Sequence, residues 1–111
     1  MNSIEASSRE LLPTLLDRIE QKTAKVGVVG LGYVGLPFAV EKGKVGFQVL
    51  GFDRKQERVD QVNQGHSYIG DVNGEELGKL VAQGLLSATT DMDRLGDMDV
   101  LVIAVPTPLN K

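Results

Sequence analysis

The sequence predicts an α/β fold, a parallel sheet with flanking helices, and three observations predict it. Short apolar runs that suit buried strands alternate with stretches of helical periodicity. The first run is closed by a glycine-rich turn at Gly30, and the second ends on an acidic residue, Asp53. Alternation of this kind implies parallel strands joined by right-handed crossovers.

Taken in order, Leu12, Leu15, Leu16 and Ile19 stand at i, i+3, i+4 and i+7, a helical stripe within residues 3–22, with Pro13 near the start of its regular part. Residues 1–23 therefore read as a helical extension that docks on a domain formed by residues 24–111. Residues 25–30 form the first strand, an apolar run closed by glycine. Leu36, Ala39, Val40 and Gly43 recur at helical spacing, Pro37 suits the first turn, and the small residues let this helix lie close to a sheet. Residues 47–52 form the second strand, and residues 54–63 a polar helix with Val59 and Val62 on one face. After a loop rich in Gly and Asp, Asn73 and Glu76 have the spacing of a capping box, opening a helix with Leu77, Leu80 and Val81 inward and Gly84 as its stop. Residues 85–89 make a weaker strand and residues 91–95 a single helical turn. Residues 99–105 carry the strongest buried-strand signal in the chain. The expected architecture is a sheet truncated after about the fourth strand, where a doubly wound domain would continue.

Composition narrows the function. With 111 residues, 41% hydrophobic and 24% charged, the chain is a globular domain or part of one. A net charge of -3 with scattered Lys and Arg gives no footprint for nucleic acid. No apolar run approaches the ~20 residues a membrane helix needs, and no secretory leader is evident, so a cytoplasmic location is expected. The absence of cysteine excludes disulfides, thiolate metal sites and a cysteine nucleophile within these residues.

The turn Gly30-Leu31-Gly32-Tyr33-Val34-Gly35 assigns each glycine a task. Gly30 permits the tight turn, Gly32 lets backbone approach a pyrophosphate, and Gly35 allows close packing of helix on strand. The N-terminus of the following helix then stabilises phosphate. This spacing alone is weak in a chain with 13 glycines. Placed between strand and helix, and followed by Asp53 at the end of the next strand, it becomes the full fingerprint of a Rossmann-type dinucleotide site. Asp53 has the reach to accept both ribose hydroxyls of an adenosine, the plainer and lesser alternative being a helix N-cap for the segment from Arg54. A carboxylate there repels a 2′-phosphate, which favours NAD over NADP. Arg54 and Arg58 are the opposing signal, since arginines near this tip can accommodate that phosphate.

The exit of the fourth strand, Val105-Pro106-Thr107-Pro108, lies where ligands of open sheets collect, and Thr107 can donate a hydrogen bond; a proline-stiffened strand end is the plain alternative. Tyr33 and Val34 read as loop residues whose amides face phosphate. His66 reads as a solvated loop residue. Asp91, Asp93, Asp97 and Asp99 read as caps, and no metal site is expected.

The run from Lys25 to Pro37, then Gly51-Phe52-Asp53, then Val105 to Pro108, together resemble the UDP-glucose/GDP-mannose dehydrogenase family. Residues 19–25 and 66–72 are most similar to the UDP-N-acetylglucosamine or UDP-N-acetylmannosamine 6-dehydrogenases within it. The resemblance implies an NAD-dependent, four-electron oxidation of a sugar-nucleotide C6 alcohol to a carboxylate through a thiohemiacetal. It implies a UDP-sugar substrate and a homo-oligomer for the full-length enzyme. By similarity it places Tyr33, Val34, Asp53, Arg58 and Thr107 at cofactor-contacting positions. The family's catalytic cysteine and lysine lie in later segments, so no catalytic residue is assigned here and this chain alone is expected to be inactive. Glu41-Lys42-Gly43-Lys44 departs from the family's alanine-rich helix and puts its packing in question. The rival readings are the cofactor domain of a 3-hydroxyacid-type dehydrogenase and a Rossmann binding or interaction module without catalysis.

Overall fold

The computed structural model of the chain describes Ile19 and residues 21–104. Lys25–Val29 (β1), Gln48–Phe52 (β2), Leu86–Thr89 (β3) and Val100–Ile103 (β4) form one parallel sheet in the order β3-β2-β1-β4. Gly35–Val45 (α1) connects β1 to β2, and Gln56–Asn63 (α2) and Gly74–Ala82 (α3) lie between β2 and β3. The strand order steps away from β1 and then returns to its other side. The switch point therefore falls between β1 and β4, and the carboxyl ends of these strands are where such sheets bind ligands.

Register decides which side chains meet the helices. Val26 pairs with Val49 and Val100, Val28 with Gly51 and Val102, and Val49 and Gly51 with Leu86 and Ala88. Since successive side chains alternate faces, these residues share one face. On it, Val26, Val28, Val49 and Leu86 join Leu36, Ala39 and Val40 of α1, Val59 and Val62 of α2, and Leu77 and Leu80 of α3 in one buried cluster. The opposite face is uneven. Leu50 and Phe52 are buried, whereas Leu101 and Ile103 of β4 are 46% and 70% exposed. The strand expected to be most buried is thus an edge strand, because among the described residues it pairs only with β1. Its apolar composition reports strand propensity; burial depends on neighbours.

Other departures also have local causes. The second helix starts at Gln56, with Lys55 rather than Asp53 as its N-cap. Asn73 does cap α3, accepting the N–H groups of Glu75 and Glu76 at 2.8 and 3.2 Å. Glu76 does not complete a capping box; its carboxylate meets Lys44 of α1 at 2.9 Å. The charged quartet in α1 is accommodated on the same principle. Gly43 is buried against Leu80, Lys42 lies over the Phe38 ring at 5.3 Å, and the apolar stripe stays narrow. Gly84, at φ +75, ends α3 with bonds from its own N–H to Val81 O and from Leu85 N–H to Leu80 O. The single turn expected near residue 91 is a 3₁₀ turn, Met92–Asp97, capped by Asp91. Asp99 accepts the Lys25 N–H at 2.8 Å. Most of the helix expected over residues 3–22 lies outside the described residues.

The outer edge of β3 is closed by a side chain. Asn63, the last residue of α2, donates to Ala88 O at 3.0 Å and accepts from Ala88 N–H at 2.8 Å, as a neighbouring strand would. Replacing Asn63 with Ala leaves both groups of Ala88 to water and is expected to lower unfolding free energy by about 1–2 kcal/mol, measured by urea denaturation.

Candidate dinucleotide-binding site

The turn after β1 is built by sterics. The Gly30 N–H still belongs to the sheet, donating to Phe52 O at 2.8 Å, while its φ of +95 swings the chain upward. Gly35 opens α1 directly against that turn: a Cβ there would lie 1.6 Å from the Gly30 carbonyl oxygen and 3.3 Å from Ala104 Cβ. Gly32 is under no such pressure. Its nearest neighbour would be Arg58 Nη1 at 3.8 Å, ordinary contact, so the protein itself does not forbid a side chain there. Space over Gly32 is what a ligand would use. Tyr33 and Val34 follow, 82% and 69% exposed, and Val34 is the N-cap of α1 without a side-chain capping bond. With no acidic residue in the first turn either, the positive end of this helix is left available to an anion.

Leu31 is held at three points. Its side chain is fully buried and occupies the space that a Cβ on Gly51 would take, 2.7 Å from Leu31 Cδ2. Its N–H donates to Asp53 Oδ2 at 2.9 Å, and its carbonyl accepts from the Tyr68 hydroxyl at 2.6 Å. Asp53 is 7% exposed, and its carboxylate is satisfied. Oδ2 also takes Arg58 Nη1 at 3.3 Å, and Oδ1 takes the Lys55 N–H at 2.9 Å. Burial pushes the carboxyl upward, but the Lys55 and Leu31 amides and the Arg58 guanidinium outweigh it and hold Asp53 below the usual carboxylate range. Arg58 lies 5.9 Å from the centre of the Tyr68 ring. Burial, with a smaller push from Asp53 against the pull of Arg58, moves the Tyr68 hydroxyl up to about 12, so it remains a donor at physiological pH.

A cleft of about 590 Å³ opens above these residues at the ends of β1 and β2. Gly30 and Gly32 line it together with the polar Asp53, Arg54, Lys55 and Arg58, and Met92 and Leu95 of the 3₁₀ turn add apolar surface. Such a cleft can accept a diol at Asp53, an anion at the glycine turn and a flat apolar ring against Met92 and Leu95. Of the residues expected from sequence, Gly30, Gly32, Asp53, Arg54 and Arg58 line it. Gly35 sits beneath the turn, and Tyr33 and Val34 stand outside the cleft lining. Pro106 and Thr107 lie outside the described residues. Sequence reasoning missed Tyr68, Gly51, Met92 and Leu95. Gly51 had a signal, since a glycine inside a strand marks close approach. Tyr68 had none, being 37 residues from its partner. His66 is exposed, in the loop between α2 and α3.

The family model for the UDP-glucose/GDP-mannose dehydrogenase family, NAD binding domain, matches residues 24–111. The UDP-N-acetyl-D-glucosamine 6-dehydrogenase of Pseudomonas aeruginosa is 42% identical over 90 residues, which cover 81% of this chain and 20% of that protein. The UDP-N-acetyl-D-mannosamine dehydrogenase of Escherichia coli (strain K12) is 37% identical over 87 residues, 77% of this chain and 20% of that protein. Among solved structures, the ternary complex of GDP-mannose dehydrogenase from Pseudomonas aeruginosa superposes with a TM-score of 0.73 at 36% identity, covering 78% of this chain and 20% of that one. The chain spans about a fifth of the length of these relatives.

The glycines should separate experimentally. Gly35→Ala is expected to destabilise the chain by at least about 2 kcal/mol, through the clash with Gly30. Gly32→Ala should stay within about 0.5 kcal/mol of the native value in the same denaturant titration. Asp53 carries a pH signature. Its native pKa is depressed, so its contribution is complete above the ordinary carboxylate value and drains away as pH falls through the native one, the unfolded chain taking up the proton first. Stability of Asp53→Asn, followed by urea midpoint against pH, should therefore fall less steeply than that of the native chain below about pH 4.

Proposed function

Because the chain belongs to the UDP-glucose/GDP-mannose dehydrogenase family through its NAD binding domain, we propose that it holds NAD for oxidation of a UDP-sugar C6 alcohol to a uronic acid. The observation that carries this reading is Asp53: a buried, ionised carboxylate at the tip of β2, already fixed to the glycine turn, with three donors on it and one acceptor site left on Oδ1 for a ribose hydroxyl. The residues present fit the cofactor. Gly32 leaves the turn unobstructed, the N-terminus of α1 lacks a side-chain cap, and Met92 and Leu95 offer apolar surface. Gly32 and the amides of Tyr33 and Val34 would face the pyrophosphate, Gly30 and Gly35 would shape the turn that presents them, and Asp53 would hold the adenosine ribose. Arg54 and Arg58 would sit at the rim. The family resemblance adds Thr107 as a further cofactor-contacting position, and the strand-exit reading adds Pro106 beside it.

Bound NAD supplies a hydride acceptor, and conversion of alcohol to aldehyde and then to acid consumes two NAD and one water per sugar. The chain's own residues bind and orient; lacking cysteine, they supply no thiol for a covalent intermediate. The names of the Pseudomonas aeruginosa and Escherichia coli relatives favour a UDP-linked acetamido sugar as substrate.

Calorimetric titration tests the binding assignment. NAD is expected to bind at least tenfold more tightly than NADP, and Asp53→Asn to lose roughly ten- to a hundredfold in NAD affinity, the cost of a charge-assisted hydrogen bond. Equal or tighter binding of NADP by the native chain would refute it. Mixed with NAD and UDP-N-acetylglucosamine, the chain by itself is expected to produce no NADH absorbance; a rising signal would overturn the assignment of chemistry to residues outside it.

A further inference from the structure

We infer that Tyr68 is a positioning residue of the dinucleotide site, setting the Leu31–Gly32 peptide plane that faces the pyrophosphate; the inference rests on the NAD reading above. Tyr68 comes from the loop between α2 and α3, partly buried with its ring packed on the core cluster, and its hydroxyl donates to the Leu31 carbonyl at 2.6 Å. That carbonyl and the Gly32 N–H belong to one planar peptide unit. With no cis peptide among the described residues, they point to opposite edges of the plane. A hydroxyl that grips the carbonyl therefore aims the N–H. Among the described residues the Gly32 N–H has no acceptor, and Gly32 lines the cleft.

The preceding peptide is clamped from the other side, because the Leu31 N–H is held by Asp53. Two consecutive planes of the glycine turn are thus fixed by two side chains, one from the tip of β2 and one from the loop carrying Tyr68. The same tyrosine ring lies against the Arg58 guanidinium, which in turn binds Asp53. One residue touches both halves of the arrangement, the turn through its hydroxyl and the carboxylate through Arg58. A purely structural tyrosine would use its hydroxyl only to satisfy itself at the core boundary.

Tyr68→Phe separates these roles, since it keeps the ring and removes only the hydroxyl. The experiment compares native chain, Tyr68→Phe and Tyr68→Leu for binding of adenosine, ADP and NAD, with amide resonances of Leu31 and Gly32 recorded in the same NMR titrations. Tyr68→Phe is expected to lose about fivefold for ADP and NAD, the two ligands with a pyrophosphate, while adenosine stays within about twofold. The Gly32 amide resonance is expected to shift before any ligand is added. Tyr68→Leu should lose affinity for adenosine as well, because Arg58 is released along with the turn. The inference is overturned if Tyr68→Phe binds ADP as the native chain does, if adenosine and ADP weaken by the same factor, or if its Gly32 amide coincides with the native one. A native chain that binds neither ADP nor NAD would instead bring down the NAD reading itself, and the inference with it.

Discussion

One buried hydrogen bond, from the Leu31 N–H to Asp53 Oδ2, joins the turn after β1 to the tip of β2, and the cleft takes its shape from it. An ionised carboxylate out of water is tolerated only when its lone pairs are engaged, so the chain around Asp53 is constrained to bring donors to it. It brings three: the Leu31 and Lys55 amides and the Arg58 guanidinium. The backbone of Asp53 is fixed as well, its N–H reaching Thr89 O at the end of β3, just as Gly30 reaches Phe52. The ends of three strands are thereby aligned, with the glycine turn tied to the middle one.

That alignment depends on side chains that are missing as much as on those present. Leu31 can bury itself only because β2 carries glycine at position 51, and α1 can start where it does only because position 35 adds nothing against Gly30. On the opposite face Gly27 does the same for Met98 and Leu101, which a Cβ would meet at 2.7 and 2.8 Å. These are packing requirements, satisfied before any ligand arrives. Gly32 stands apart as the position in the turn that packing leaves open.

The difference explains what could be read from the sequence. A positive φ at a tight turn, strands that alternate with helices and an acidic residue closing the second strand are local features, and local features leave a local pattern. The register that puts Val26, Val28 and Val49 on the helix face follows from the same alternation. Burial of β4 did not follow, because an apolar run is the same string of residues in the middle of a sheet or at its edge. Nor could the partner of Glu76 be foreseen: the capping-box spacing is real, but Lys44 from another helix is the stronger attraction for a carboxylate at 2.9 Å. Tyr68 illustrates the limit most sharply, since its hydroxyl finds a carbonyl 37 residues earlier in the chain. Nothing in the sequence near Tyr68 marks that contact.

The placement of Arg58 bears on cofactor choice in a way that a simple count of charges would miss. Arginine near the end of β2 is ordinarily read as a receptor for a 2′-phosphate. Here Nη1 of that arginine is bound to Asp53, and the guanidinium rests against the Tyr68 ring. Arg58 gives one nitrogen to Asp53, and a 2′-phosphate drawn to the rest of the guanidinium would bring a second negative charge close to that carboxylate. With the second negative charge repelling Asp53 directly, the balance falls against the phosphate. Arg58 in this setting supports discrimination in favour of a free ribose, because what it neutralises is the carboxylate that recognises one.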